Sequence, residues 1–246
     1  MGKRVAIVQS SYIPWKGYFD LINGVDEFIL YDDLQYTRRD WRNRNRIKTP
    51  DGAAWLTIPV KVKGRYYQKI RETEVSDHGW SDRHWKTICL NYARAPWFKD
   101  IGSVLHDVYR RCRDETHLSS INFQFLQAIS AMLAIKTRIT WSMDYDLVEG
   151  RTERLVYLCR QAGASEYLSG PAAKAYLDET LFSDHGIRVC WMDYGGYGQY
   201  RQLFCPPFIH EVSIIDLMMN EGPEGAKKYM LSFGSISTNR QGDTVL

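Results

Sequence analysis

Long apolar runs are missing from this sequence. Met1-Gly2-Lys3-Arg4 leads into only about five apolar residues, fewer than a signal peptide needs. No stretch approaches the ~18 consecutive apolar residues of a membrane span. Cysteine is sparse, with 5 residues at 89, 112, 159, 190 and 205 and no CxxC pair. An odd, scattered set argues against a disulfide framework and for reduced, mostly buried thiols. Cys190 and Cys205 are therefore read as structural rather than as acyl carriers. These absences predict a cytoplasmic protein with no membrane partner.

An excess of one charge is also missing. With 32 Lys and Arg against 29 Asp and Glu, the formal net charge is +3, too small to favour nucleic acid as partner. There is no G-x-G-x-x-G after the first apolar strand and no Walker A, which argues against a dinucleotide oxidoreductase or a P-loop NTPase. No G-x-S-x-G occurs. The 6 His are dispersed without H-E-x-x-H, so no metal site is expected. Gly195-Gly196-Tyr197-Gly198 has the composition of an anion-wrapping loop, but no clear helix follows it.

What is present is an ordinary globular composition, 44% hydrophobic and 25% charged over 246 residues. That length suits one α/β domain over 1–234, with a hairpin-plus-helix insertion at about 53–115 and a polar, mobile tail at 235–246. Aromatics are rich at 13%, with 8 Trp and 16 Tyr. Beyond the core, so many amphipathic rings suit a polar, ring-shaped ligand such as a sugar or nucleotide.

Val5-Ala6-Ile7-Val8 has the continuous apolar character of a buried strand. A helix from about 16 to 24 and a second apolar strand over 27–31 complete a βαβ signal, which builds parallel sheets by right-handed crossover. Residues 34–52 are polar and basic and read as a long loop closing in the turn Thr49-Pro50-Asp51-Gly52. Residues 54–60 and 66–75 are expected to pair as a hairpin around Lys63-Gly64, and 81–92, 101–112 and 119–134 to be helical. Strands are then expected over 135–141, 166–168 and 187–192, separated by helices over 152–162 and 172–181, with a last helix over 212–220. The expected fold is a Rossmann-like parallel sheet of about five strands with an inserted β-hairpin and helices.

The five expected strands end at Gln9-Ser10, Asp32-Asp33, Ser142-Met143-Asp144, Ser169-Gly170 and Asp193-Tyr194. All five junctions are polar, and ligands of open α/β sheets bind outside the carboxyl ends of the strands. At the first junction, Trp15-Lys16-Gly17-Tyr18 occupies the place and shape of the H-x-G-H tetrad of nucleotidylyltransferase-like enzymes, with both histidines absent. Gly17 in the first helical turn would let a ligand approach the backbone, and a plain helix start is the competing explanation. In the basic stretch, Arg42, Arg44, Arg46 and Lys48 could clamp a diphosphate or carboxylate, with Asn43 and Asn45 on sugar hydroxyls. A solvated charged loop is the bland alternative.

Three motif blocks carry a family resemblance. Gln9-x-x-Tyr12-x-Pro14-Trp15-x-Gly17-Tyr18-Phe19 is followed by Asp32-Asp33-x-Gln35-Tyr36 and then by Trp41-x-Asn43-Arg44-Asn45-x-Ile47-Lys48. Gly52, Trp55-Leu56-Thr57-x-Pro59 and Tyr92-Ala93-x-Ala95-Pro96 continue the series. Asn122, Tyr167-Leu168-Ser169-Gly170-Pro171-Ala172-Ala173-Lys174 and Ser213-x-x-Asp216-x-x-x-Asn220-x-Gly222 complete it. In this order they resemble the WbqC-like family over about 230 residues. Ser10 departs from the proline expected there. The layout is also distantly similar to pantothenate synthetase, in which a carboxylate is activated as an acyl-adenylate and captured by an amine.

The resemblance implies a link to bacterial surface polysaccharide and sugar modification. It points to a transferase or ligase that places an acyl or aminoacyl group on the amine of an amino sugar, nucleotide-linked or otherwise activated. The donor would be ATP plus an acid, or a thioester on CoA or an acyl carrier protein. Asp32, Asp33 or His84 would accept the amine proton, carboxylates and His being the usual bases. The Ser169-Gly170 amides would stabilise an oxyanion. Substrate contacts are expected from Gln9, Tyr12, Trp15, Gly17, Tyr18, Gln35, Trp41, Arg42, Asn43, Arg44, Asn45, Lys48, Pro171, Lys174, Asp216 and Asn220. The alternatives are a non-catalytic nucleotide-sugar binding protein and, behind it, nucleic-acid binding through 38–48.

Overall fold

β-Branched and aromatic residues bounded by polar pairs set the sheet. In the computed structural model, which describes residues 2–234, the first strand β1 (Lys3–Val8) is followed by helix α1 (Lys16–Asn23) and β2 (Glu27–Leu30). A long excursion then carries β3 (Arg44–Thr49), β4 (Gly52–Thr57), α2 (Trp80–Tyr92), α3 (Phe98–Arg111) and α4 (Leu118–Met132). The chain returns through β5 (Arg138–Trp141), α5 (Thr152–Gln161), β6 (Ala164–Ser169), the short α6 (Glu179–Ser183), β7 (Arg188–Trp191) and α7 (Ile214–Lys227). The polar stretch 235–246 lies outside the described residues.

The main sheet has the order β5-β2-β1-β6-β7, and every pairing is parallel. In sheet-strand order this is 3-2-1-4-5, the doubly wound arrangement expected of a Rossmann-like fold. Alternate side chains serve two cores, as the period of a strand requires. Ala6, Phe28, Leu30 and Leu168 join a large cluster with Phe19 and Ile22 of α1 and Phe125 and Ile129 of α4. Val5, Ile7, Ile29 and Tyr167 face a smaller cluster with Leu155 and Leu158 of α5 and Phe182 of α6. The strand order reverses between β1 and β6, so the switch point lies between the ends of these two strands.

The inserted hairpin is real but differently placed. It pairs β3 with β4, antiparallel, around Pro50 and Asp51. Residues 66–75 are not a strand. They hold a 3-10 turn (Ile70–Glu72) and isolated bridges, including Val60 with Val75. The stretch 172–181 is likewise not one helix. A 3-10 turn (Pro171–Ala175) stops, and Asp178 begins α6 by accepting from the Thr180 and Leu181 amides. Cys112 and Cys159 are buried, whereas Cys205 is exposed rather than buried.

Helix α7 breaks at Gly222, whose φ of 72° belongs to the left-handed region. A Cβ there would stand 2.5 Å from the Trp97 ring, and the Trp97 amide donates to Met219 O nearby. Gly222→Ala is expected to lose about 1–2 kcal/mol from the backbone alone, with displacement of Trp97 added to it. A lower urea midpoint with an unchanged slope would show this. An unchanged midpoint would mean that the kink relaxes freely.

Candidate functional site

At the switch point a crevice of about 620 Å³ opens between the carboxyl ends of β1 and β6. Gln9 follows β1 on one side, and Ser169 and Gly170 end β6 on the other. Ile7, Tyr31, Leu34 and Tyr167 supply an apolar floor, which belongs to the smaller core. Gly150, Arg151, Arg154 and Leu155 bring the first turn of α5 to the crevice; positions 151, 154 and 155 share one helix face. Arg151 lies 3.6 Å over the ring of Tyr176. Arg154 Nε donates to Val148 O at 2.8 Å, and its charge partly opposes the rise that burial gives the Tyr31 hydroxyl pKa. Two guanidinium groups and a helix N-terminus beside aromatic rings favour an anion carried on a planar or ring-shaped body.

Sequence reasoning placed Gln9, Ser169 and Gly170 here and missed Tyr31, Arg151, Arg154 and Tyr176. An i, i+3 pair of arginines opening the helix after β5 was the available signal. Pro171 is exposed beside the crevice at the start of its 3-10 turn, and Lys174 is exposed with its ammonium over Trp191. Among the described residues, no Asp, Glu, His or Lys lines the crevice itself.

The two aspartates after β2 are neighbours of the crevice and are held in place. Asp32 is buried; it accepts from the Ser10 amide at 2.8 Å and from Ser119 Oγ at 2.5 Å. Burial raises its pKa, and those hydrogen bonds partly oppose the rise. Asp33 accepts from Ser142 Oγ at 2.8 Å and faces Lys69 at 3.3 Å and Arg71 at 3.2 Å. Gln35 is exposed, and its side-chain amide donates to Tyr66 O.

His84 is placed away from the crevice, in the large core. Its Nε2 is 3.1 Å from Thr57 O and its Nδ1 is 2.9 Å from the Tyr12 hydroxyl. A carbonyl only accepts, so the proton sits on Nε2 and Tyr12 donates to Nδ1. Tyr109 then donates to Tyr12 at 2.6 Å. Burial lowers the His84 pKa to about 4. Both ring nitrogens are engaged, and the group serves to position Tyr12 and the loop after β1.

That loop is fixed from several sides. Asn45 Nδ2 donates to Tyr12 O and Ile13 O, and Ile13 has a positive φ of 35°. Asn43 donates to Ile58 O, and Asn122 donates to Ser10 Oγ and Arg42 O. Trp15 folds its ring over Gly17, where a Cβ would come within 2.4 Å, and packs edge-on to Tyr194 and Tyr197. Tyr18 donates to Gln9 O at 2.9 Å. Lys16 is buried, with its ammonium 3.3 Å from Gly198 O and over the Tyr197 ring. Tyr197 and Gly198 therefore pack against the start of α1.

The basic stretch is strand β3 rather than a loop. Asn45 and Ile47 point inward, and Arg44 and Arg46 point outward over Trp55 at 4.0 Å and 5.5 Å. Arg46 also approaches Trp41, which packs 5.4 Å from Trp55. Lys48 is buried and donates to Pro207 O. Arg42 is buried too, in a recess that adjoins the crevice at Val8 and does not put Arg42 on the crevice lining.

Asp216 and Asn220 form a structural lock. Asp216 is buried and accepts from the Tyr92 hydroxyl at 2.7 Å, the Tyr200 hydroxyl at 2.5 Å and Gln202 Nε2 at 2.7 Å. Asn220 donates to Asp216 O and accepts from the Leu203 amide. These bonds hold the segment around residues 200–203 against α7 and α2.

Among the described residues, no group of three or more His, Cys, Asp or Glu is arranged to hold a metal ion. Among them, too, no helix is long and apolar enough to cross a membrane. No solved structure matches the chain. It is similar to a Mycobacterium tuberculosis (strain ATCC 25618 / H37Rv) protein described as "Uncharacterized protein Rv1507c". The two are 54% identical over 222 residues, which cover 90% of this chain and 95% of the other. The pattern of the WbqC-like protein family matches residues 9–228, a span that contains the aspartates after β2, the hairpin, the crevice lining from Gln9 onward and the Asp216 lock. The chain belongs to the WbqC-like protein family.

Proposed function

We propose that the protein is a transferase or ligase that forms an amide on the amine of a nucleotide-linked amino sugar. The observation that carries this reading is the crevice at the switch point, where Arg151, Arg154 and the N-terminus of α5 meet the rings of Tyr31 and Tyr176. The guanidinium groups take the phosphates, and the rings take the planar or sugar portion. The Gly170 backbone borders the same space and is available to a developing oxyanion. Asp33 is engaged by Ser142, Lys69 and Arg71 and does not line the crevice, so in this reading water accepts the amine proton. The amide C–N bond forms as the donor's C–S or C–O bond breaks, the thiolate of the thioester or the AMP of the acyl-adenylate departs, and the amine proton passes to water.

The test incubates the protein with a UDP-linked amino sugar and either an acyl-CoA or ATP plus the free acid, and follows the product by mass spectrometry. The expected result is an N-acylated sugar nucleotide that requires both protein and donor. Binding of the sugar nucleotide without turnover, with CoA, carrier-protein and ATP donors all tried, would instead make the chain a nucleotide-sugar binding protein. Stabilisation by a short duplex alone would overturn the sugar reading altogether.

A further inference from the structure

Beside the crevice, and sharing Val8 with it, a second recess of about 290 Å³ lies against the loop after β1. Its walls are Val8, Pro14 and the rings of Trp15, Tyr18 and Trp41, with Asn45 and Glu211 at its edges. Arg42 reaches into it. This side chain is only 10% exposed, and its Nε and Nη1 have no hydrogen-bond partner among the described residues. A guanidinium carries five N–H donors and stays charged at any physiological pH. Leaving two of its nitrogens buried and unpaired costs more than an ordinary lost hydrogen bond.

The neighbouring carboxylates do not meet that need. Asp40 Oδ2 stands 3.9 Å from Nε, beyond hydrogen-bond reach. Asp32 feels the Arg42 charge, but its oxygens are spent on Ser10 and Ser119. Glu211 is largely exposed and pairs with Arg46 at 3.7 Å. The backbone around Arg42 is meanwhile held rigid. Its carbonyl accepts from Asn122, the Trp41 carbonyl accepts from the Tyr12 amide, and Asn43 is tied to Ile58. The guanidinium is thus pre-oriented, desolvated and short of an acceptor, in a recess lined mainly by apolar and aromatic side chains, with Ser11, Asn45 and Glu211 as its other polar residues.

We propose that this recess is a binding site for a small organic oxoanion, with the carboxylate or phosphate on Arg42 and a flat apolar body between Trp15, Tyr18 and Trp41. The recess adjoins the crevice at Val8, but its rings and Arg42 do not line the crevice, and the proposal does not rest on the reaction proposed there.

Isothermal titration with benzoate, phenyl phosphate and the neutral analogue benzamide tests it. Benzoate or phenyl phosphate is expected to bind at least tenfold more tightly than benzamide, and the stronger of the two identifies the preferred anion. Arg42→Met should abolish that preference and, by removing an uncompensated buried charge, should keep or raise the melting temperature of the free protein. Glu211→Gln removes a rim charge of the wrong sign from an exposed position, so it should tighten anion binding severalfold even if Arg42→Met fails to fold. Arg154→Met, in the crevice, should leave benzoate binding unchanged. Equal binding of all three probes, no binding by any, or anion binding weakened by Arg154→Met but not strengthened by Glu211→Gln would overturn the proposal.

Discussion

Asp216→Ala is expected to lose about 3–5 kcal/mol of stability, the range for removing one partner from a buried charged network. The carboxylate accepts from Tyr92, Tyr200 and Gln202, and it sits near the buried Lys48 ammonium. Burial raises its pKa and the three donors only partly offset that, so Asp216 is not itself a comfortable charge. Its removal is costly because three donors lose their acceptor at once and the Lys48 ammonium loses a nearby opposite charge. The loss should also spread, because the bonds join α2 and α7 to the segment around Tyr200 and Gln202. Asp216→Asn keeps an oxygen acceptor and should lose clearly less. Chemical denaturation of both variants checks the ordering. Equal, small losses would mean that water replaces the carboxylate and that the lock contributes little.

Acid should weaken the fold through His84. In the folded chain its Nε2–H is given to Thr57 O and its Nδ1 is occupied by the Tyr12 hydroxyl, so a second proton has no acceptor to face. The folded pKa is about 4, against an ordinary value of 6.5. Between these values the unfolded chain binds a proton that the folded chain refuses. The stabilising contribution is therefore complete above pH 6.5 and is lost as pH falls through 4. The loss, complete below pH 4, amounts to about 3 kcal/mol. His84→Gln should be less stable than the parent at neutral pH, and the gap should narrow by that amount towards the acid limit. Parallel stability curves for the two proteins would show that His84 does not carry the acid response.

The parallel strands are readable in the sequence for a plain physical reason. Val5-Ala6-Ile7-Val8 and Glu27–Leu30 are short apolar runs buried on both faces, and each stops at residues that hydrogen-bond rather than pack. The convergence of strand ends on one rim follows from the parallel order, and Gln9, Ser169 and Gly170 are found there. The hairpin is harder to read. In Arg44-Asn45-Arg46 the period of two is present, but the inward residue is polar. Asn45 earns its buried place by bonding the carbonyls of Tyr12 and Ile13, a tertiary fact with no local signature. The same holds for His84, Asp216 and Asn220. Their residue types advertise chemistry, while their surroundings use them as hydrogen-bonding supports. Arg151 and Arg154 were overlooked for the converse reason, since charged residues in a first helical turn look like solvated surface.

The central claim is that the crevice between β1 and β6 binds a nucleotide-linked sugar through Arg154 and Arg151. Isothermal titration of a UDP-linked amino sugar into the native protein and into Arg154→Met addresses it most directly, with circular dichroism to confirm that both are folded. Saturable binding at one site is predicted for the native chain, weakened at least tenfold in the variant. Equal affinity in the two proteins, or no binding by the native chain, would contradict the account.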